Sequence, residues 1–388
     1  MSTPAILFAA WARSAVVAHG GGFRSLQAHD IAAPVLQAVL ARAGVAPAAV
    51  DAVVLGNALG AGGNPARMAA FAAGLPDGCA TFSVDTQCCA GLDAVALGIG
   101  LIRSGQAEVV LAGGVEAWSR SPIRQVRPLH PGEAAVPFER PPFCPDPSRD
   151  PDLLASAAEH AARTAVTRQA QDAYALASHA AALLHAAVLS HEIVPIAGMA
   201  GDSYPRAMPA VRAARLPVLL SAGPDASCGL STLAISPKAD GAAAVLLMSA
   251  AAASRLGVGA SGPRLAWRAH SSLGGDPSMP LLAAGLAAQA VLQKAGVRDA
   301  RALACIELHD AFAVQGLDFC RSLGLTPSQI NRCGGGIARG HPIGASGAIA
   351  LVRVLADLAR DGSRHDLGMA AIAGAGGLGS ATLVERLG

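Results

Sequence analysis

The sequence contains an internal repeat, and this repeat restricts the fold more than any other feature. Residues 38–45 form a helical pattern that ends beside a glycine, and residues 53–58 follow as an apolar run that ends in a polar turn. The same order recurs in residues 290–297 and 305–310. Both copies therefore predict a helix with a glycine C-cap, a short loop, a buried strand and a polar turn.

Each copy continues into a second unit of matching design. In the first copy a turn at Cys88 precedes an alanine-rich helix over residues 91–104, and a strand ending in glycines follows. In the second copy the turn contains His341, the helix covers residues 345–360, and a similar strand follows. We predict two similarly wound α/β halves whose helix-opening turns meet at a pseudo-twofold axis, which brings Cys88 close to His341.

The length of 388 residues is too great for one ordinary core, so several units are expected. We predict an N-terminal half over residues 1–118 that resumes over 234–260, a C-terminal half over 261–388, and an inserted loop domain over 119–233. The insertion contains a Pro- and Arg-rich loop and a helical pattern over residues 153–189. Such segments usually carry binding functions, and a simple spacer is the alternative.

Composition excludes several other classes of protein. The net charge is +2 and aromatic residues make up 3% of the chain, so the sequence has no nucleic-acid-binding signature. The longest nearly uncharged run, residues 242–253, is too short to span a bilayer. Residues 1–12 have no basic residue ahead of their apolar run, which predicts a first strand and not a signal peptide.

The cysteines indicate a reducing environment. The chain has 8 cysteines and no Cys-x-x-Cys pair, which favours free thiols over a zinc ribbon or a disulfide framework. We therefore expect a cytoplasmic protein without a bound metal or a membrane anchor.

The turn around Cys88 and Cys89 is the first candidate for chemistry. The run Thr81 to Val84 predicts the end of a buried strand, and apolar residues from Leu92 onward recur at helical spacing. A thiol in the first turn of a helix faces free backbone N–H groups and the positive end of the helix dipole, which favour thiolate. The alternative is that both cysteines are small buried apolar residues.

Two histidines lie at matched ends of the repeated units. His309 ends a predicted buried strand, and His341 lies between Gly340 and Pro342 at the mouth of a helix. A single histidine is more often a core residue than a catalyst, but two histidines and a cysteine at matched positions favour catalysis. A dinucleotide loop is a weaker interpretation, because no Gly-x-Gly-x-x-Gly opens a helix in a first βα turn.

These residues together resemble the thiolase family over nearly the whole chain. Residues 84–92 are similar to the family's nucleophile motif, Val-Asn-x-x-Cys-x-Ser-Gly-Leu; residues 113–119 are similar to Gly-Gly-x-Glu-x-Met-Ser; and residues 340–347 match Gly-His-Pro-x-Gly-Ala-Ser-Gly. The resemblance implies duplicated βαβαβαββ halves in a five-layered α-β-α-β-α arrangement with an inserted loop domain. It also implies coenzyme A thioesters as substrates, no bound cofactor, a homodimer or homotetramer, and a role in lipid metabolism.

The resemblance also implies roles for particular residues. Cys88 is the nucleophile and His341 its proton acceptor. The backbone N–H groups of Cys88 and Ala375 hold the tetrahedral oxyanion, and His309 joins His341 in stabilising an enolate oxygen. The implied function is a thiolase-like acyl-CoA acyltransferase that forms or cleaves 3-oxoacyl-CoA through an acyl-Cys88 intermediate.

Two departures from the family pattern affect this implied mechanism. The usual Asn-Glu-Ala-Phe is His-Asp-Ala-Phe at residues 309–312, nearer the His-Asp-Cys-Phe of the sterol-carrier-protein-type thiolases. Ordinary thiolases carry a second catalytic cysteine where this chain has Ala373, and the sterol-carrier type has one where this chain has Ala311. We expect altered carbon acid–base chemistry from the missing second cysteine.

Two other functions remain open from the sequence. A cysteine with two histidines and no second thiol also resembles the ketosynthases, in which loss of CO₂ makes the carbanion, so a decarboxylating condensing enzyme is one alternative. The other is a catalytically quiet acyl-CoA-binding subunit that works only with a partner.

Overall fold

The computed structural model describes residues 5–60, 62–223, 226–259 and 263–387. Its strands are β1 (Ile6–Ser14), β2 (Val17–Ala18), β3 (Ala52–Gly56), β4 (Ala80–Val84), β5 (Val109–Ala117), β6 (Arg124–Val126), β7 (Val136–Phe138), β8 (Ile193–Val194), β9 (Val218–Leu220), β10 (Leu230–Ser231), β11 (Ala239–Ser249), β12 (Leu265–Gly274), β13 (Cys305–His309), β14 (Leu367–Gly374) and β15 (Leu378–Arg386). The predicted N-terminal strand over residues 1–12 is confirmed from Ile6 onward, and residues 1–4 lie outside the described part of the chain.

The α-helices that connect and cover these strands are α1 (Ala28–Ala43), α2 (Pro65–Ala72), α3 (Ala90–Arg103), α4 (Leu153–Arg163), α5 (Arg168–Leu184), α6 (Ala186–Ser190), α7 (Ala210–Ala213), α8 (Ala250–Arg255), α9 (Ala283–Ala295), α10 (Ala313–Ser322), α11 (Gly336–Arg339) and α12 (Ser346–Asp361). The repeated helices end as predicted, because Gly44 and Gly296 adopt left-handed backbone conformations with φ of 66° and 72°. No helix in the described ranges is both long and apolar enough to cross a membrane.

The strand order reflects the internal repeat. The N-terminal strands pair in the order β1-β11-β5-β3-β4 and the C-terminal strands in the order β12-β15-β14-β13. In the N-terminal half, β1 with β11 and β11 with β5 pair antiparallel, and β5 with β3 pairs parallel. In the C-terminal half, β12 with β15 and β15 with β14 pair antiparallel, and β14 with β13 pairs parallel. The halves join where Leu7 and Phe8 of β1 pair with Ala266 and Leu265 of β12.

Three layers of helices separate and cover the two halves of the sheet. Helices α1 and α2 pack on one outer face, and α9 and α10 pack on the other. Helices α3 and α12 lie between the halves and share a core with both. The order of layers is therefore α-β-α-β-α, as predicted.

Glycine permits close contact between the two central helices. A Cβ atom on Gly91 would lie 2.6 Å from the carbonyl oxygen of Gly344, and one on Gly347 would lie 2.8 Å from the Cβ of Leu92. A side chain at either position would therefore push the start of α3 away from the start of α12. This contact holds the two helix-opening turns side by side.

The inserted region lies between β5 and β11 in the chain. Its helices α4 and α5 pack against the C-terminal half, where Ala157 and Leu230 meet Val314 and where Tyr174 meets Ile337. The helical pattern predicted over residues 153–189 is divided into α4, α5 and α6. The first break contains Ala165, whose φ is 53°, so the helical pattern corresponds to three successive helices.

Strand β4 corrects another prediction. The run ending at Val84 was expected to be buried, but β4 pairs only with β3 and forms the edge of the sheet within the described residues. Phe82 is 47% exposed as a result. An apolar run predicts a strand, but its place in the sheet depends on which other strands pair with it.

Candidate active site

Cys88 lies in a tight turn between β4 and α3. The turn is shaped by Gln87, which has a φ of 54°, and by the side chain of Asp85, which accepts a hydrogen bond of 2.9 Å from the backbone N–H of Gln87. Helix α3 begins at Ala90 with Cys89 as its N-cap. The sequence suggested that Cys88 lies in the first turn of the helix. In the structure Cys88 instead precedes the helix.

The protonation state of Cys88 also differs from the expectation. Burial raises the pKa of the Cys88 thiol to about 11, although the backbone N–H groups of Ala375 and of Cys88 itself act in the opposite direction. Those two N–H groups are the predicted oxyanion donors, and both face the sulfur. The cysteine is therefore a neutral thiol in the free protein, because loss of solvent outweighs the backbone donors.

His341 is positioned to accept the proton of that thiol. Its Nε2 atom lies 3.1 Å from the Sγ atom of Cys88, and its Nδ1 atom lies 2.7 Å from the hydroxyl of Ser346. The Ser346 hydroxyl donates to the carbonyl of Pro342 at 3.0 Å, so it accepts from Nδ1–H. This arrangement leaves the lone pair of Nε2 facing the thiol.

Burial keeps His341 neutral. Desolvation lowers the pKa of His341 to about 4, although the ring keeps part of its surface exposed. The imidazole is therefore unprotonated at neutral pH and can act as a base.

The loop that carries His341 is fixed by backbone contacts. The N–H of His341 donates to the carbonyl of Pro237 at 2.7 Å, and the N–H of Gly344 donates to the carboxylate of Glu116 at 3.0 Å. Glu116 also accepts from the N–H groups of Ala58 and Leu59 at 3.0 and 3.2 Å. Burial raises the pKa of Glu116 to about 7, although these N–H donors act to lower it. Glu116 thereby connects the first half to the histidine loop of the second.

His309 stacks on His341. The ring centroids are 4.2 Å apart with an angle of 29° between the planes. Burial, with further contributions from the neighbouring His341 and Arg339 side chains, holds the pKa of His309 well below its usual range. Its Nε2 atom is buried and has no hydrogen-bond partner in the described structure. A buried polar atom without a partner beside a nucleophile indicates a place where a ligand atom is bound.

The two residues that follow His309 are held by contacts with α5 and α10. The carboxylate of Asp310 accepts a hydrogen bond of 2.8 Å from the hydroxyl of Tyr174, and the N–H of Ala311 donates to Gln315 at 2.8 Å. A Cβ atom on Gly336 would lie 2.6 Å from the His309 ring, so glycine is required beneath it. These contacts fix the backbone on both sides of His309.

Ala373 lies at the end of β14, next to the glycine turn that supplies the Ala375 N–H. A Cβ atom on the following Gly374 would lie 3.2 Å from Cys89 Sγ. The end of β14 therefore packs against the cysteine turn, while the side chain of Ala373 lies in the core cluster shared with α9. The structure thus brings Cys88, His309, His341 and the Ala375 N–H together.

Two positioning residues were not assigned roles from the sequence. Ser346 and Glu116 both lie inside motifs that the sequence shows, but a motif does not reveal which side chain bonds to which. Their partners, His341 and Gly344, are identified only by the fold.

A neutral thiol facing an unprotonated imidazole, with two backbone N–H groups aimed at the sulfur, is the arrangement of a cysteine-dependent acyltransferase. Comparison with known proteins supports this class of enzyme. Residues 6–251 match the thiolase N-terminal domain and residues 262–386 match the thiolase C-terminal domain. The chain belongs to the thiolase family, and the predicted family, fold and enzyme class are confirmed.

Individual relatives cover the whole chain. Acetyl-CoA acetyltransferases of Shinella zoogloeoides and Rhizobium meliloti are each 37% identical, with 100% of both chains covered. The crystal structure of the Bacillus anthracis acetyl-CoA acetyltransferase is 29% identical with a TM-score of 0.90 over 100% of both chains. The Acat5 thiolase of Ascaris suum, solved in complex with coenzyme A, is 26% identical with a TM-score of 0.87, covering 99% of this chain and 100% of that one.

Proposed function

We propose that this thiolase-type acyltransferase forms or cleaves 3-oxoacyl-CoA through an acyl group carried on Cys88. The observation that carries the proposal is the 3.1 Å contact between Cys88 Sγ and the unprotonated Nε2 of His341. The names of the acetyl-CoA acetyltransferase relatives and the coenzyme A complex of the Ascaris suum thiolase support a coenzyme A thioester as the substrate.

The first half-reaction transfers the acyl group to sulfur. The Cys88 proton passes to Nε2 of His341 while the sulfur attacks the thioester carbonyl. The resulting oxyanion accepts hydrogen bonds from the N–H groups of Cys88 and Ala375, which already face the sulfur. Collapse of the tetrahedral intermediate expels the coenzyme A thiolate, which takes the proton back from His341.

The second half-reaction needs a carbanion on the second thioester. The unpartnered Nε2 of His309, in the tautomer that carries a proton there, would stabilise the enolate oxygen. The Nε2 of His341, free again after it has returned its proton to coenzyme A, would take the carbon-bound proton. We infer that Ala373 marks a missing second catalytic cysteine, because an alanine side chain can neither give nor take the carbon-bound proton. General acid–base help of this kind is typically worth ~10²–10⁴-fold. The condensation and cleavage steps are therefore slower than acylation.

We also propose that the protein assembles as a homodimer or homotetramer. Two exposed apolar surfaces support assembly. One is the edge strand β4 with Phe82; the other is the β6–β7 hairpin, where Ile123 and Leu129 are 88% and 86% exposed. An unpaired edge and a separate apolar patch favour contacts with further copies of the chain. Light scattering on the purified protein tests this, and a monomer at micromolar concentration would contradict it.

The division into units and the cellular location are further parts of the proposal. The strands β1, β3, β4, β5 and β11 form one half and β12 to β15 the other, which supports halves over residues 1–118 with 234–260, and 261–388, and an insertion over 119–233. All 8 cysteines are free, which fits the reducing cytoplasm.

Two assays on the purified protein test the proposed reaction. With a 3-oxoacyl-CoA and free coenzyme A, we expect thiolytic cleavage and an acyl adduct on Cys88. Malonyl-CoA alone serves as the comparison. Decarboxylation of malonyl-CoA without cleavage would overturn the proposal in favour of a condensing enzyme, and binding without either reaction would indicate a quiet subunit.

A further inference from the structure

A cavity of about 500 Å³ lies beside the reacting residues. It is formed between the inserted region and the turns that carry Cys88 and His341. Its lining includes mostly apolar side chains, of which the principal ones are Leu59, Trp118, Phe138, Phe143, Leu154 and Ile343. Pockets of roughly 300–1,000 Å³ enclose ligands the size of a drug molecule, whereas an acetyl group adds a single methyl to the reacting carbonyl.

Several contacts connect this cavity to the reacting atoms. Gln87, directly before Cys88, and Ile343, two residues after His341, both line it. On the opposite side, a Cβ atom on Gly376 would lie 3.6 Å from the Cβ of Phe143, so Phe143 covers the turn that supplies the Ala375 N–H. An acyl group on Cys88 that grows away from the carbonyl therefore has this space next to it.

The walls of the cavity are unusually aromatic for this chain. The sequence contains only 8 phenylalanines and 3 tryptophans, and Trp118, Phe138 and Phe143 all line the cavity. Aromatic side chains provide large apolar surfaces with few rotatable bonds, which suits the binding of a hydrocarbon group.

The charged side chains that line the cavity already form hydrogen bonds or ion pairs with other residues. Arg124 donates to the carbonyl of Ala58 at 2.9 Å, Arg140 pairs with Asp150, and Asp152 caps α4. Lys238 lies 3.9 Å from Glu139, and both are exposed. Among the described lining residues the interior thus has no free charge that would select a charged acyl group, and the exposed pair belongs to the rim.

We propose that this cavity binds the acyl group, and that the enzyme prefers apolar acyl chains of medium length over acetyl. The inference rests on the proposed function, because it takes Cys88 as the acylated residue. The acyl chain enters between Leu154 and the aromatic walls while the carbonyl stays at the Cys88 and Ala375 N–H groups. Burial of each additional methylene then stabilises the transition state of acylation.

Competing acylation by acetyl-CoA and octanoyl-CoA tests the inference. The full chain is mixed with equal concentrations of both, and the two Cys88 adducts are separated by intact mass. A fully buried methylene is worth about a fourfold gain, so even partial burial of the chain predicts at least a tenfold preference for octanoyl. An equal or acetyl-favouring ratio would overturn the inference while leaving the proposed function intact; no adduct from either thioester would overturn the proposed function itself.

Two variants test whether the preference for octanoyl over acetyl depends on the cavity. Leu154→Trp fills the space and should reduce the octanoyl preference at least fivefold; Phe138→Ala enlarges it and should move the optimum to longer chains. Leu184→Trp, which adds the same bulk on α5 at a position 79% exposed, is the matched control and should keep the parent ratio. If both cavity variants fold and keep the parent ratio, the acyl group binds elsewhere and the inference is overturned.

Discussion

The Nε2 atom of His341 lies 3.1 Å from the Sγ atom of Cys88, although 253 positions separate the two residues in the chain. Both groups are neutral in the free protein, because burial raises the pKa of Cys88 to about 11 and lowers that of His341 to about 4. In the free protein the pair is thus a neutral thiol and a neutral imidazole, and not a preformed ion pair. The proton moves to His341 only as the sulfur attacks the carbonyl.

The pH dependence of acylation follows from these two pKa values. Protonation of His341 removes the base only as the pH falls toward about 4, and the thiol ionises on its own only as the pH rises toward about 11. We expect the acylation rate to be nearly flat between these limits. Single-turnover acylation followed by mass spectrometry over this range checks it; a midpoint near the free-cysteine value of about 8.5 would contradict the neutral pair.

His341→Ala should slow acylation at neutral pH and make the rate depend on pH. Without the imidazole, reaction requires thiolate, whose fraction rises about tenfold per pH unit below the pKa of the thiol. The variant should therefore approach the parent rate as the pH rises toward 11. A variant that acylates like the parent at neutral pH would show that His341 does not activate Cys88.

Acylation should occur on Cys88 and not on the neighbouring cysteine. Cys89 is fully buried as the N-cap of α3, and burial raises its pKa well above the usual value. Peptide mass spectrometry after incubation with an acyl-CoA locates the adduct. Cys88→Ala should abolish the adduct and Cys89→Ala should retain it; an adduct on Cys89 or Cys333 in the parent would refute the assignment.

Ser346→Ala should reduce the acylation rate about tenfold or more, a part of the ~10²–10⁴-fold typical of general-base help. The hydroxyl accepts from Nδ1 at 2.7 Å and so keeps the Nε2 lone pair on the sulfur side. Substrate binding should change little, so the loss should fall on kcat more than on KM. Ser190→Ala is the control, because the hydroxyl of this exposed serine donates to the carbonyl of Ala187.

Ala373→Cys should raise the rate of 3-oxoacyl-CoA cleavage about tenfold or more. The change adds one sulfur atom next to the glycine turn and introduces the acid–base group that alanine lacks. Acylation of Cys88 should stay nearly constant, because Ala373 contributes no group to that step. Steady-state cleavage and single-turnover acylation are measured on the same preparation. Unchanged cleavage would remove the reason to regard Ala373 as the limiting position.

Glu192→Gln should destabilise the fold by about 3 kcal/mol. The buried carboxylate accepts from Arg13 Nε at 2.6 Å and Arg353 Nη1 at 2.5 Å, and both arginine side chains are fully buried. The amide leaves those guanidinium charges under-compensated away from water. Urea unfolding gives the free energy of unfolding. Arg301→Gln, which removes an exposed ion pair with Asp299, is the control and should leave it unchanged.

Much of the fold could be predicted from the sequence because its determinants are local and repeated. The glycine at residue 296 ends α9 for the same reason as the glycine at residue 44 ends α1, and the short strand that ends at His309 has apolar residues on both sides of Glu307. Such patterns act over a few residues, so they can be identified without knowing the rest of the chain. The duplication then predicted two halves and placed Cys88 opposite His341.

The tertiary structure alone decided the exposure of Phe82, the protonation of Cys88 and the partner of His341 Nδ1. Strand β4 is exposed because no further strand of the described chain pairs with it. The Cys88 thiol stays protonated because loss of solvent from surrounding elements outweighs two nearby N–H donors. Ser346 orients His341 because the turn before α12 brings its hydroxyl to the ring. Burial and long-range hydrogen bonds sum contributions from many distant segments, so no local pattern in the sequence could determine them.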